Sequence, residues 1–522
     1  QARVQGDIFE NDEKLTYNLE TELSCNDTLK FMSWLGYEIT PVAQSTYRRM
    51  SGKADVSGTL NNIKISPLDV TLDKTVVKGE AGIVRGERPQ YFLSLTSDSI
   101  NFDNYLPGLP KELTDKPFKE RLAYRFGQLA GLNDFDVDFR GTLDLGIYEN
   151  TPFENTEVSL KTAKGVMDIS KLSIGGIANA AVSAEGQVSG FGKEPQVTNL
   201  KYSIETKNLD SFMNKFELPK PNVDLNDMQQ FKSQGIVTGG MDKAAVNTVS
   251  KLGNIDLSYS GRISNNEEGY LLNGELELKA PDFVKLANVL NFNYHPKGYA
   301  LGLFNLTGHI AGNEKIFKLT NMNAFVGANN FQGTLWVDKS GAKPNIVTEL
   351  DINRFEPEKF FYNGNAKSGT TVQPNIALRS EAGGERIDFL AKPFWDKERL
   401  SYDFYKTFTL TGKFNIGDLV WNGYVFKKAA VSADVRDDKI KIGSFNALLN
   451  DRNVMTQAEL KLGDKPELQL NFSLEDQDVA GSYWSGELYG LRSGRFNASG
   501  KLVLPAASVE DMVLGMSGDV ML

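Results

Sequence analysis

After each of Pro89, Pro195, Pro344 and Pro466 the chain alternates between apolar and polar side chains. Following Pro344, the residues Ile346, Thr348, Leu350 and Ile352 fall on one side, and Val347, Glu349, Asp351 and Asn353 on the other. A period of two marks a β-strand with one apolar face, because successive side chains of an extended chain point to opposite sides. Pro466 launches Leu468, Leu470, Phe472 and Leu474 in the same way; Pro89 launches Tyr91, Leu93 and Leu95, and Pro195 launches Val197, Leu200, Tyr202 and Ile204. Each proline follows a turn of Gly and charged residues. Proline suits that place because it has no amide hydrogen to give a ladder and is accepted at the first residue of a strand. Any all-β chain has Gly and Pro turns, but four copies of turn, proline and alternation read as an internal repeat. The prolines lie 106, 149 and 122 residues apart, which excludes a solenoid of short fixed period.

The fullest copy runs from Tyr299 to Phe355 as a chain of strands: into Gly308, through Ile316 and Leu319 to Gly327, from Phe331 to Val337, then a Lys-Ser-Gly-Ala turn and the strand after Pro344. Short helices are expected between such groups. Asn26 or Asp27 caps one over Thr28 to Leu35. Residues 111 to 132 form another, with Phe118, Leu122, Phe126 and Leu129 on one stripe that covers a sheet edge. Residues 209 to 216 and 223 to 234 read as helical or irregular around Pro219 and Pro221, with strands returning from Ile255 to Glu277. Ala280 to Leu290 forms a helix with Pro281 in its first turn, where the amides have no partner.

For a chain of 522 residues this is one long β body or a few domains: a strand-helix segment over 1–47, a first β-repeat region over 48–270 with helical insertions, and a second over 271–522. The net charge of −10 and pI near 5.1 argue against nucleic acid, whose phosphates demand clustered Lys and Arg. Cys25 is the only cysteine, so no intrachain disulfide and no thiolate metal cage is expected. No run of 18 apolar residues is present, hence no spanning helix. A start at Gln1 and an end in apolar sequence at Leu522 suggest a trimmed piece, whose anchor lies outside it.

Reactive groups are sparse. His295 and His309, the two histidines, have no Cys, Asp or Glu cluster at ligand spacing beside them, and solvated turns account for Glu267-Glu268 and Asp437-Asp438 better than acid–base work. No nucleophile elbow, zinc-binding helix or phosphate loop appears; Gly190-Phe-Gly192 is a hairpin turn before Pro195. Neither an enzyme nor a cofactor is expected.

Several segments together resemble the AsmA family. They are Asn273-Gly-Glu-Leu-Glu-Leu278, the Pro-Asp-Phe-Val-Lys-Leu helix that follows, Phe325-Val-Gly327 with Phe331-Gln-Gly-Thr-Leu335, and Lys343-Pro-Asn-Ile-Val-Thr-Glu-Leu350. Ala391-Lys-Pro-Phe-Trp-Asp396, Leu419-Val-Trp-Asn-Gly423, and Ser499-Gly-Lys-Leu502 with Val509 to Gly518 continue the likeness, which covers roughly residues 48 to 522 and is strongest from 270 on. The resemblance implies a periplasm-facing, inner-membrane-anchored protein whose elongated, curved, repeat-built antiparallel sheet forms an apolar groove. It also implies a role in moving phospholipid between the inner and outer membranes.

The strands themselves leave two readings open. Their apolar face is either core, covered by helices or a second sheet, or a trough for acyl chains, each buried CH₂ being worth about 0.8 kcal/mol. The resemblance implies the trough. Its expected lining is Tyr91, Leu93, Leu95, Leu200, Tyr202, Ile204, Ile346, Leu350, Ile352, Leu468, Leu470, Phe472 and Leu474. The alternatives are a structural or adhesive surface protein with a closed core, and a carbohydrate-active enzyme, which Trp336, Trp395, Trp421 and Trp484 are too dispersed to indicate.

Overall fold

A computed structural model describes residues 1–11, 14–36, 39, 46–116, 118–216, 218, 228–266, 269–290, 294, 301–360, 397, 399–421, 423–436, 438–478 and 494–522. The expectations for Pro219, Pro221, 223–227, Glu267-Glu268, His295, 391–396, Asp437 and Trp484 fall outside them. The chain is mainly β, with 65% strand and 13% helix, and the 26 strands among the described residues belong to one sheet that does not close there. It divides into two units, Gln1–Gly274 and Glu275–Leu522, so residues 1–47 lie within the first; the division falls inside the strand that also holds the expected boundary at 270–271.

In the first unit β1 (Ala2–Asn11), β2 (Lys14–Cys25), β3 (Met50–Thr59), β4 (Asn62–Leu72), β5 (Thr75–Val84) and β6 (Gln90–Asn101) pair antiparallel in chain order. β7 (Asp136–Tyr148) then lies parallel to β6. The antiparallel order resumes through β8 (Thr151–Ala163), β9 (Val166–Ile177), β10 (Ala180–Ser189), β11 (Gln196–Thr206), β12 (Phe231–Gly240), β13 (Lys243–Leu252) and β14 (Ile255–Asn266), and β15 (Gly269–Ala280) spans the division.

The second unit follows the same plan. β16 (Phe304–Gly312), β17 (Ile316–Val326), β18 (Asn329–Asp338) and β19 (Asn345–Phe355) are antiparallel, and β20 (Thr409–Trp421) is parallel to β19. β21 (Tyr424–Val435), β22 (Lys439–Leu449), β23 (Arg452–Lys461), β24 (Glu467–Asp478), β25 (Arg495–Pro505) and β26 (Ser517–Met521) are antiparallel again.

The four prolines stand just before β6, β11, β19 and β24, and the carbonyls of three bond to the next strand, those of Pro89 and Pro344 at its first residue and that of Pro466 just past its end. Asp136 N donates to Pro89 O at 2.9 Å, Thr409 N to Pro344 O at 2.9 Å, and Ala506 N to Pro466 O at 2.7 Å. A long excursion follows each of these strands. Antiparallel neighbours need only a tight turn, whereas a parallel neighbour needs a crossover, and the segments after β6 and β19 supply it.

Seven helices are among the described residues: α1 (Thr28–Trp34), α2 (Lys111–Thr114), α3 (Phe118–Gln128), α4 (Leu209–Lys215), α5 (Phe283–Val289), α6 (Pro357–Phe360) and α7 (Val509–Leu514). Three expectations need correction. The helix over 111–132 is broken into α2, α3 and a 3₁₀ turn at Ala130–Asn133, because Pro117 denies an amide to a continuous helix; Leu129 lies beyond α3 and is 40% exposed. Residues 231 to 234 are the start of β12, and β13 also precedes the strands expected from Ile255. Pro281 precedes the helix, since Asp282 takes the cap position, accepting from Val284 N and Lys285 N.

Candidate functional site

Burial follows the alternation. In β19, Ile346, Thr348, Leu350 and Ile352 turn to a shielded face, while Val347, Glu349, Asp351 and Asn353 are exposed. β6 and β13 repeat the pattern along their length. Most of the shielded residues are half-buried rather than buried, and no large side chain of the described residues falls below 2% exposure. Two faces of a flat single layer would be equally exposed; a layer sandwiched by a second sheet would bury one face outright. Half-burial of one face lies between these two. Mid-strand bulges bend the strands locally: Asn155, Asn199, Asn321, Lys428 and Asp476 take φ between 49° and 52° inside β8, β11, β17, β21 and β24.

The register arranges the shielded residues into rows that run across the strands. In the first unit Leu95 pairs with Gly141, then Val158, Leu172, Ala184 and Tyr202. Leu93 stands beside Phe139, Tyr91 beside Val137, Leu200 beside Val237, and Ile204 beside Val182. In the second unit Thr348 leads through Gly412, Ala433, Ile442 and Ala458 to Leu470 and Leu502. Leu350 leads through Phe414, Val431, Phe445 and Thr456 to Phe472, and Ile346 through Leu410, Val435, Ile440 and Leu460 to Leu468. Leu474 stands beside Val454 and Ala498.

All thirteen expected lining residues therefore lie on the shielded face of their own unit. Twelve are half-buried; Ile352 is 6% exposed and belongs to a tight cluster with Ile416, Leu419, Ala429 and Ala447. Small residues, Gly141 and Ala184 in one row and Gly412, Ala433 and Ala458 in another, stand among the large ones, whereas the row from Ile346 to Leu468 is large throughout. No row carries a charge.

One interruption escaped the sequence reading. Tyr202 Oη lies 2.7 Å from Thr248 Oγ1 and 3.1 Å from Ser233 Oγ, and Ser233 Oγ lies 2.9 Å from Ser250 Oγ. Gly235, paired with Tyr202, leaves its ring room to cross β12. Ser233, Thr248 and Ser250 occupy apolar positions of the alternation, and that was the available signal. The four hydroxyls satisfy one another, so the face remains without net charge. Further along the row burial pushes the Tyr259 hydroxyl pKa up, and its oxygen donates to Arg262 O at 2.7 Å.

At the foot of the β6–β7 step, Arg88 donates to Asp136 Oδ1 at 2.6 Å, to Asn133 O at 2.6 Å and to Phe135 O at 3.0 Å. The Arg88 guanidinium holds the Asp136 carboxyl below the usual carboxylate range. α3 is tied to the strand ends through Arg125 to Glu149 and Lys119 to Asp242, and Phe126 stacks on Phe191 at 6.2 Å. It covers part of the first unit's sheet. Among the described residues no three His, Cys, Asp or Glu gather as a metal site, His309 pairing instead with Glu275 at 2.9 Å, and no helix is long and apolar enough to cross a membrane.

Fold and face together define a mainly β protein built as a single open, amphipathic sheet. No family model and no curated protein matches the chain.

Proposed function

We propose that this chain is an AsmA-like envelope protein, working in the periplasm from an inner-membrane anchor, that shelters phospholipid acyl chains along its apolar face. In that role it supports phospholipid transport or outer-membrane assembly between the inner and outer membranes. The observation that carries this reading is the set of continuous, uncharged rows whose large side chains stay half-buried. Such side chains still have area to give, and each acyl CH₂ laid against them is stabilised by about 0.8 kcal/mol. A spread-out lining needs no catalytic group and no cofactor.

The competing reading, a structural or adhesive repeat protein with a closed core, draws on the buried cluster of Ile352, Ile416, Leu419, Ala429 and Ala447. That cluster is confined to β19–β22. Native mass spectrometry of the purified protein, with a fluorescent acyl probe as a second readout, separates the two. The conduit reading expects bound phospholipid and probe protection, both abolished by Leu350→Asp with Leu470→Asp while the β-sheet circular dichroism persists. A lipid-free protein that leaves the probe quenched sinks it, and unfolding of the variant assigns both leucines to a core.

A further inference from the structure

Over most of the sheet the polar face closes on itself through cross-strand charge pairs. Glu22 meets Lys53 at 3.2 Å, Asp69 meets Lys78 at 3.4 Å, and Glu185 meets Lys201 at 2.6 Å. The second unit departs from this over β17–β20. There Asn323, Gln332, Asp351 and Asn415 stand abreast, each in register with the next. Within this patch lies an open depression of about 580 Å³ whose polar lining is Asn330, Gln332, Asp351, Asn353, Asn415 and Lys428, with Ile352, Ile416 and Ala429 among the apolar residues at its floor.

Its hydrogen-bonding capacity is only partly used. Asn415 Nδ2 donates to Asp351 Oδ1 at 2.8 Å, and Asn353 Oδ1 accepts from Asn330 N at 2.8 Å. Gln332, Asp351 and Asn415 are exposed, so their remaining donors and acceptors face the depression's opening. Asp351 and Lys428 cancel in charge, so the wall favours neither an anion nor a cation. Phe325, 38% exposed, is the ladder partner of Asn330 and sets an apolar ring at the margin.

We infer that this depression is a binding site for a neutral carbohydrate. Planar amides and a carboxylate each offer paired donors or acceptors to vicinal hydroxyls, and an aromatic face accepts the C–H side of a pyranose. Strands about 4.8 Å apart place Gln332, Asp351 and Asn415 across roughly 10 Å, the span of a short oligosaccharide. Ile352 and Ile416 also border the depression, but Gln332 and Asn415, the two residues substituted in the test, are not residues of the apolar rows, so the test is independent of the lipid reading.

The test is isothermal titration of the protein with glucose, galactose and N-acetylglucosamine trisaccharides, beside a galacturonic acid trisaccharide. At least one neutral trisaccharide should bind, more tightly than the acidic one. Gln332→Ala with Asn415→Ala, both exposed positions, should weaken it roughly tenfold or more through lost hydrogen bonds while acyl-probe protection is unchanged. No heat from any neutral trisaccharide, equal binding of the acidic one, or full binding by the double variant overturns the inference.

Discussion

Asp136 shows how one side chain can pin a change of strand direction. It binds Arg88 and also accepts from Lys164 N at 3.0 Å, tying the starts of β7 and β9 to the turn before β6. Because its folded pKa is depressed, its contribution is fully present above the ordinary carboxylate value near 4 and is lost as pH falls through the lower folded value. Asp136→Asn should therefore lower the urea midpoint at neutral pH, and the gap to the parent should shrink on acidification below about pH 4. An unchanging gap would assign the effect to geometry alone. At this scale the sequence is eloquent about alternation and silent about partners: Ile346, Leu350 and Leu470 could be placed on a face, but nothing local to Asp136 announces Arg88, which lies 48 residues away. The amides at Asn323, Gln332, Asp351 and Asn415 read singly as solvated strand positions and become a patch only in register.

Four helices share one start. Asp27 accepts from Lys30 N, Asn208 from Ser211 N, Asp282 from Val284 N and Lys285 N, and Ser508 from Asp511 N. Each satisfies amides that have no partner within the helix. Asp282→Ala should destabilise the second unit by about 1 kcal/mol, read as a shift in the denaturation midpoint, since Leu286 and Ala287 of α5 are buried. Asp282→Asn should restore most of it. Caps were legible from residue type, as the expectation at Asn26 or Asp27, resolved to Asp27, shows, although the proline at 281 drew the α5 boundary too early. The strands after the four prolines were legible too. The parallel steps were not, because an alternating strand looks the same whichever way its neighbour runs. Bulges left a faint trace: the three-residue step from Val197 to Leu200, where the alternation slips, is the insertion at Asn199.

For the molecule as a whole, β1 and β26 each have a single ladder neighbour among the described residues. Both are exposed along their described length, and β26 carries Val520 and Met521 at 53% and 75% exposure. Amide hydrogen exchange should thus be fastest in these two strands and slowest in central ladders such as β7–β8 and β20–β21. Equal protection at the margins would point to a partner covering them. Composition and charge argued against nucleic acid and thiol chemistry; they could not show how far the apolar face is covered, since that depends on what packs against it.

Each described ladder, the two parallel ones included, joins strands that are successive along the chain. Inserting or removing a whole hairpin therefore asks nothing of distant positions, as in repeat proteins whose modules touch only their immediate neighbours. Reach is then a quantity that duplication of short coding segments can adjust in small increments, letting descendants of such a chain be tailored to gaps of different width without redesign of the rest.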